Sequence, residues 1–189
     1  MATRRVKFKI GIILGSNRPG RICRAMGEWV LKAMQHENLE IDLIDLAEIN
    51  LPFLDEPELP AHHHYQKEHT RRWSQLISGY DGFILLVPQY NWGYPAVLKN
   101  ALDFLFDEWA DKPVSTLCYG NHGGFQASIA MKLVTQGLAM HNLATNVSFD
   151  THKEMFDECG QFLDIEQALG PYRKIMQAVS AEFVDFLEK

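Results

Sequence analysis

The residues best equipped to bind an anion form one run, Gly-Ser-Asn-Arg-Pro-Gly-Arg at 15–21, between an apolar segment and a helical pattern. This run offers backbone N–H groups, the Ser16 hydroxyl, the Asn17 amide and the guanidinium groups of Arg18 and Arg21. A guanidinium makes paired hydrogen bonds to two oxygens, and a helix amino end carries partial positive charge. The run therefore indicates a phosphate-binding loop. An ordinary capped turn with surface arginines is the alternative.

This first loop lacks the two best-known phosphate motifs. The G-x-x-x-x-G-K-[ST] pattern is absent, and G-x-G-x-x-G fails because Ser16, Asn17 and Arg18 occupy the tight turn. Those side chains would crowd a pyrophosphate, so the loop favours a terminal monophosphate. A dinucleotide site, with Asp45 on an adenine ribose, is the alternative.

A second loop, Pro-Gln-Tyr-Asn-Trp-Gly-Tyr-Pro at 88–95, follows an almost wholly apolar run. Its aromatic side chains offer stacking surface to a flat heteroaromatic ring, and its amides and turn N–H groups can meet ring heteroatoms. The loop therefore indicates a ring-binding site. A packed turn whose aromatics fill the core or a subunit contact is the alternative.

A third loop, Gly-Asn-His-Gly-Gly at 120–124, stands before a helical pattern. Glycines let backbone N–H groups approach a ligand closely, and a helix amino end favours negative charge, as on a ring that becomes anionic when reduced. A plain connector is the alternative. His122 has two interpretations, a contact with substrate or a solvated turn histidine.

Alternating strand and helix patterns bring the three loops together. Strand patterns cover 6–14, 41–46, 82–87, 114–119 and 143–149, and helical patterns cover 21–37, 65–78, 96–109, about 125–140 and about 161–187. This alternation predicts an α/β fold with a doubly wound parallel sheet of order 2-1-3-4-5 and helices on both faces. Ligands of such sheets bind beyond the carboxyl ends of the strands, where these loops lie.

Composition excludes several classes of protein. At 189 residues the chain suits a single domain over 1–189, and its net charge of −6 gives no positive field to attract nucleic acid or anionic lipid. Its longest apolar runs are far below the roughly 20 residues of a membrane span. The three cysteines, far apart in sequence, argue against a disulfide framework and a zinc site, and favour the reducing cytoplasm. The basic segment 1–9 is interpreted as a solvated approach to the first strand.

Three motifs together resemble the NADPH-dependent FMN reductase family of flavodoxin-like proteins. They are G-S-x-R-x-x-R at 15–21, P-x-Y-N-x-G-Y-P-A-x-L-K-N-A-x-D at 88–103 and Y-G-x-x-G-G at 119–124, and the likeness extends to about residue 147. The middle motif is the specific one. The resemblance implies a flavodoxin-like fold with FMN bound at the three loops.

The resemblance also assigns the contacts. It implies that the FMN phosphate is held by Ser16, Asn17, Arg18, Arg21 and Ile22. It implies that the isoalloxazine is bordered by Pro88, Gln89, Tyr90 and Asn91, and that its pyrimidine edge lies near Gly120, His122, Gly123 and Gly124. Many members have Glu where this chain has Gln89, so any effect of that carboxylate is not carried over.

The implied activity is an FMN-dependent oxidoreductase. A hydride from NADPH or NADH would pass through flavin N5 to a quinone-like, azo or free-flavin acceptor in a ping-pong cycle, with no catalytic acid, base or nucleophile. A homodimer or homotetramer is implied, with the neighbouring subunit closing the pocket. The alternative function is a flavin-redox-sensing binding module with little turnover.

Other features keep two interpretations each. The histidines His62, His63, His64 and His69 suggest either a metal cluster or a solvated loop, and we expect no metal. Cys23 is either a redox thiol or a packed helical residue. The long connection 47–64 covers the substrate side or only joins strand to helix, and the segment 150–160 matches nothing in the family pattern.

Overall fold

A computed structural model of the chain describes residues 7–189. The predicted strand start at residue 6 and most of the basic segment 1–9 lie outside this range. No helix within the described range is long and apolar enough to cross a membrane.

The described strands form one parallel sheet in the order β2-β1-β3-β4-β5, with β6 also paired to β4. The strands are β1 (Phe8–Leu14), β2 (Leu39–Asp45), β3 (Gly82–Pro88), β4 (Pro113–Gly120), β5 (His141–Asn142) and β6 (Val147–Asp150). This confirms the predicted α/β fold and its strand order. The order reverses between β1 and β3, which is where a doubly wound sheet opens a crevice.

Helices cover both faces of this sheet. They are α1 (Cys23–Ala33), α2 (Leu46–Ile49), α3 (Glu68–Ser78), α4 (Ala96–Asp103), α5 (Phe125–Gly137), α6 (Ile165–Leu169) and α7 (Arg173–Leu187). One core cluster packs α1, α6 and α7 on one face of the sheet, and the other packs α3, α4 and α5 on the opposite face. Residues of β3 alternate between the two clusters and are all buried, because both faces of this central strand are covered.

The predicted fifth strand, 143–149, is wrong as a continuous element. In the structure β5 ends at Asn142, before this segment, and β6 begins at Val147, so residues 143–146 form a short irregular stretch. In that stretch, side-chain hydrogen bonds take the place of backbone hydrogen bonds to β4. The side-chain oxygen of Asn146 accepts a hydrogen bond from Thr116 N at 2.8 Å. Ser115 Oγ donates to the carbonyl of Thr145 at 2.8 Å. Side chains therefore supply the hydrogen bonds between β4 and this stretch, where the neighbouring backbone leaves the sheet.

Two predicted helices are also too long. The helix expected over 96–109 ends at Asp103, and the rest of that segment forms tight turns. The helix expected over 161–187 is split into α6 and α7 by Gly170–Tyr172, because Pro171 has no N–H to continue the hydrogen-bond ladder.

The register of the sheet aligns the ends of β1, β3 and β4. Leu14 pairs with Leu86, and Pro88 pairs with Tyr119. The residues directly after β1 and β3 remain hydrogen-bonded to the neighbouring strand. Gly15 N donates to the carbonyl of Leu86 at 2.9 Å, and Gln89 N donates to that of Tyr119 at 3.0 Å. The three loops therefore leave the sheet side by side.

Candidate functional site

A cavity of about 680 Å³ opens where these loops leave the sheet. Its first wall is the first loop, with Arg18, Pro19, Gly20, Arg21 and Ile22. Its floor is the ends of β3 and β4 with the residues that follow β3, namely Pro88, Gln89, Tyr90, Tyr119 and Gly120. A further wall comes from the segment after β6, with Thr151, Lys153, Phe156, Asp157, Glu158, Cys159 and Gly160.

The first loop presents several unused donors. Within residues 7–189, the backbone N–H groups of Ser16, Asn17 and Gly20 have no protein partner. The Arg18 guanidinium makes no ion pair in the same range and lines the cavity. Ser16 is fully buried and its hydroxyl shares a hydrogen bond of 2.9 Å with the Tyr90 hydroxyl, which joins the first loop to the second. This donor set suits an anion with several oxygens.

The second predicted arginine is held differently. Arg21 donates through Nη2 to Asp45 Oδ2 at 2.7 Å, and its buried Nε has no hydrogen-bond partner in the described chain. Asp45 is therefore engaged by Arg21 of the loop and by Arg24 of α1, contrary to the alternative in which it would hold a ribose. Ile22 lines the cavity beside Arg21, whereas Asn17 is exposed outside the lining.

The second loop is shaped by a tight turn. Tyr90 and Gly93 exchange backbone hydrogen bonds of 2.9 Å, and Asn91 and Trp92 between them adopt positive φ. This turn places Asn91 and Trp92 outside the cavity lining.

Gln89 lines the cavity and is fixed by α5. Its side-chain oxygen accepts a hydrogen bond from Ala127 N at 3.1 Å, in the first turn of that helix. The amide nitrogen has no partner among residues 7–189, so it remains a free donor at the cavity floor.

The third loop contributes less to the cavity than expected. Gly120 lines it with φ 141°, a backbone conformation that residues with a side chain rarely adopt, and a Cβ there would be in ordinary van der Waals contact with that of Gln89 at 3.4 Å. His122 is exposed outside the lining. Gly123 and Gly124 also lie outside it. They pack on neighbouring strands, since a Cβ would meet that of Ser148 at 2.7 Å and that of Cys118 at 3.1 Å.

The thiols of Cys23 and Cys118 and the phenol of Tyr119 are buried, protonated and uncharged. Burial raises the pKa of Cys23 to about 11 and that of Cys118 to about 12. Burial likewise raises the pKa of Tyr119, which shares a hydrogen bond with Cys23. The structure thus favours the packed interpretation of Cys23, because a buried thiol that keeps its proton is a poor nucleophile.

The wall at 151–160 was missed by sequence reasoning. Gln161 ties it to the first loop through a hydrogen bond of 3.1 Å from its side chain to the carbonyl of Gly20. Asp157 shapes its turn by accepting from the backbone of Cys159 and Gln161, each at 2.9 Å. The available sequence signal was an Asp-x-x-Gly turn, Asp157 to Gly160, between aromatic residues, which predicts a turn but no position relative to the cavity.

The long connection does not reach the cavity. Its histidines pair with nearby carboxylates, as His63 does with Asp107 at 2.5 Å and His64 with Glu58 at 3.2 Å, and His69 of α3 pairs with Asp55 at 2.8 Å. Asn100 holds its start through hydrogen bonds to the backbone of Pro52 and Leu54. Across residues 7–189 no group of three or more such side chains is arranged to hold a metal ion.

Comparison with known proteins gives a consistent result. The family sequence model described as NADPH-dependent FMN reductase matches residues 8–154. An NAD(P)H-dependent FMN reductase of Schizosaccharomyces pombe is 43% identical over 135 residues, which cover 70% of this chain and 68% of that protein.

Two solved structures share the fold. FerB, a flavoenzyme NAD(P)H:(acceptor) oxidoreductase from Paracoccus denitrificans, superposes with a TM-score of 0.72 at 21% identity over 96% of this chain and 97% of that one. Oxidised flavodoxin 1 from Bacillus cereus superposes with a TM-score of 0.54 at 15% identity over 94% and 97% of the two chains. These likenesses confirm the flavodoxin-like fold.

The three cysteines should differ sharply in reactivity. Cys159 is exposed in the cavity wall, whereas Cys23 stays in its thiol form until the pH approaches about 11. At about pH 8 a disulfide reagent such as Ellman's should react rapidly with a single thiol of the folded chain. Cys159→Ser should abolish this rapid phase and Cys23→Ser should leave it. A rapid phase that survives Cys159→Ser would contradict this description of the site.

Proposed function

The chain belongs to the NADPH-dependent FMN reductase family, and from this premise we propose that the cavity binds FMN and that small-molecule electron acceptors are reduced there at the expense of NAD(P)H. The observation that carries the assignment of the site is the set of unused phosphate donors in the first loop, placed beside a floor built by the two other motifs of the family.

The first loop fits the phosphate of FMN. We propose that Ser16, Arg18, Arg21 and Ile22 surround it, because three backbone N–H groups of the loop and the Arg18 guanidinium have no partner in the described chain, and Arg21 and Ile22 line the cavity beside them. A hydrogen bond from such a donor to a charged phosphate oxygen contributes about 1.5–3 kcal/mol. Asn17 contributes through its backbone N–H in this proposal.

The floor fits the ring system. Pro88, Gln89, Tyr90 and Gly120 line it, and the free amide nitrogen of Gln89 can donate to a ring carbonyl or nitrogen. We propose that Asn91, Gly123 and Gly124 support the ring site from outside by shaping the turns next to the cavity. His122 is left out of the proposed contacts because it does not line the cavity.

Bound FMN supplies the hydride-transfer chemistry, so the protein needs to bind, orient and partly expose it. Tyr119 in the floor and the buried Cys23 remain protonated because burial raises the pKa of each, and neither can serve as a base at neutral pH. The wall at 151–160 lines the cavity and is tied to the first loop by the hydrogen bond of Gln161 to Gly20, and we propose that it borders the space shared by NAD(P)H and the acceptor.

The remaining assignments are proposals of the same kind. Both core clusters are built on the one sheet, which supports a single domain. The cysteines Cys23, Cys118 and Cys159 are all free, which supports a location in the reducing cytoplasm.

Reduction of the bound flavin tests the proposed activity. The purified chain loaded with FMN should lose its flavin absorbance on addition of NADPH or NADH without air, and should regain it within a turnover when a quinone is added. The visible spectrum measures both steps. Reduction followed by slow reoxidation with every acceptor offered would contradict the reductase and favour a redox-sensing module.

Removal of Arg18 tests the phosphate assignment. Arg18→Ala should weaken FMN binding roughly 10- to 150-fold, since a hydrogen bond to a charged group contributes about 1.5–3 kcal/mol. Fluorescence titration of the flavin measures the affinity. Arg72→Ala on the surface of α3 is the matched control and should bind FMN normally. Equal affinities in the two variants would remove Arg18 from the site.

We propose further that the chain forms a homodimer through α5. Phe125, Ile129 and Leu133 make an exposed apolar stripe on this helix at intervals of four residues, and Leu133 is 71% exposed. The helix is joined to the cavity floor by the hydrogen bond between Gln89 and Ala127, and Trp92 of the second loop is 72% exposed. A second copy placed on this stripe would lie next to the open side of the site.

Charges placed on the stripe should separate the subunits. The double variant Ile129→Asp with Leu133→Asp should have the mass of a monomer in light scattering and should retain flavin less well. Lys132→Asp, on the same helix beside the stripe, is the control and should stay dimeric. A monomeric parent chain, or a dimer that survives both charges, would overturn this interface.

A further inference from the structure

We propose that Asp45 is a positioning residue for flavin binding, whose buried carboxylate fixes the Arg21 guanidinium in the orientation that the FMN phosphate requires. This inference rests on the proposed function, since it takes the first loop as the phosphate site. Asp45 itself does not line the cavity and acts only through Arg21.

The carboxylate is held at three points. Asp45 is the last residue of β2, and its side chain is 2% exposed. Its Oδ2 accepts hydrogen bonds from Arg21 Nη2 at 2.7 Å and from Arg24 Nη1 at 3.2 Å. Its Oδ1 accepts from Ala47 N at 3.0 Å and so caps α2. The strand end, the helix cap and α1 together leave this side chain little freedom.

Asp45 is ionised in this setting. Burial alone would raise its pKa, but the hydrogen bonds from Arg21, Ala47 and Arg24, with the charge of Arg21, hold the pKa of this carboxyl below its ordinary value. The charged form therefore persists at neutral pH, and its attraction for both guanidinium groups is retained. Arg24 also pairs with Glu28 and Glu48, so it is secured independently of Asp45.

Arg21 is the member of this group that faces the ligand. It lines the cavity, its Nη2 is committed to Asp45, and its Nε is buried without a partner in the described chain. A guanidinium is a rigid plane, so a carboxylate on one nitrogen sets the direction of the remaining N–H groups. The Nη1 N–H groups, which have no hydrogen-bond partner in the described chain, are then directed before any ligand arrives, which lowers the entropy cost of binding an oxygen there.

Charge and positioning lead to opposite expectations for Asp45. If only net charge mattered, removal of the carboxylate would make the loop more positive and FMN would bind more tightly. If the carboxylate positions Arg21, its removal frees the guanidinium to adopt other rotamers and FMN binds more weakly. The sign of the change therefore distinguishes the two roles.

The test compares FMN with riboflavin, which has the same ring system and no phosphate. In the full chain freed of flavin, Asp45→Asn should weaken FMN binding about tenfold and leave riboflavin binding unchanged, as judged by flavin fluorescence. Asparagine keeps an oxygen to cap α2. Asp42→Asn on the same strand removes an exposed ion pair with Lys9 and is the matched control.

A double-mutant cycle tests the route through Arg21. Arg21→Ala by itself should weaken FMN binding. Asp45→Asn should cause little further loss of FMN affinity in the Arg21→Ala variant, because the arginine that Asp45 positions is gone. Unchanged or tighter FMN binding in Asp45→Asn, or additive losses in the double variant, would overturn the proposal. Equal losses for FMN and riboflavin with a lower melting temperature would assign Asp45 a merely structural role and overturn it too.

Failure of the underlying function gives a different result. If the parent chain binds FMN no better than riboflavin, the first loop is not a phosphate site and both proposals fall. If the parent prefers FMN and Asp45→Asn keeps that preference, only the role of Asp45 is lost.

Discussion

The site depends on the parallel register by which β1, β3 and β4 end together. Parallel strands leave their last backbone groups and the following loops at one edge, and the reversal of strand order between β1 and β3 keeps a helix from closing over that edge. The hydrogen bonds from Gly15 to Leu86 and from Gln89 to Tyr119 extend this register one residue past the strands. Loops that are unrelated in sequence therefore share one cavity without any of them being long.

Within the cavity, charge is divided between free and committed groups. Arg18 has no ion pair in the described chain, whereas Arg21 is tied to the buried Asp45. The floor is neutral at physiological pH because burial keeps the proton on Tyr119 and Cys23. This arrangement can bind an anion at one end and a flat uncharged ring at the other, as FMN requires. It places the demanding chemistry on the cofactor and leaves the protein the task of orientation.

The parts of this arrangement that sequence could predict are local. Strand order and the three loops follow from hydrophobic periodicity, from the positions of glycine and proline, and from the topology of parallel sheets. The parts that it could not predict depend on contacts between residues distant in sequence. Examples are the hydrogen bonds of Asn146 with Thr116, of Gln161 with Gly20 and of Asp45 with Arg21. A glycine in the sequence also does not show whether it lines the cavity, as Gly120 does, or packs against a neighbouring residue, as Gly123 does against Ser148.

The most direct test of this account is a crystal structure of the chain with FMN bound. The account predicts that the phosphate lies within hydrogen-bonding distance of the first-loop N–H groups and Arg18, with the ring over Pro88, Gln89 and Gly120. Density for FMN elsewhere on the molecule, or in the cavity with its phosphate directed away from the first loop, would contradict it.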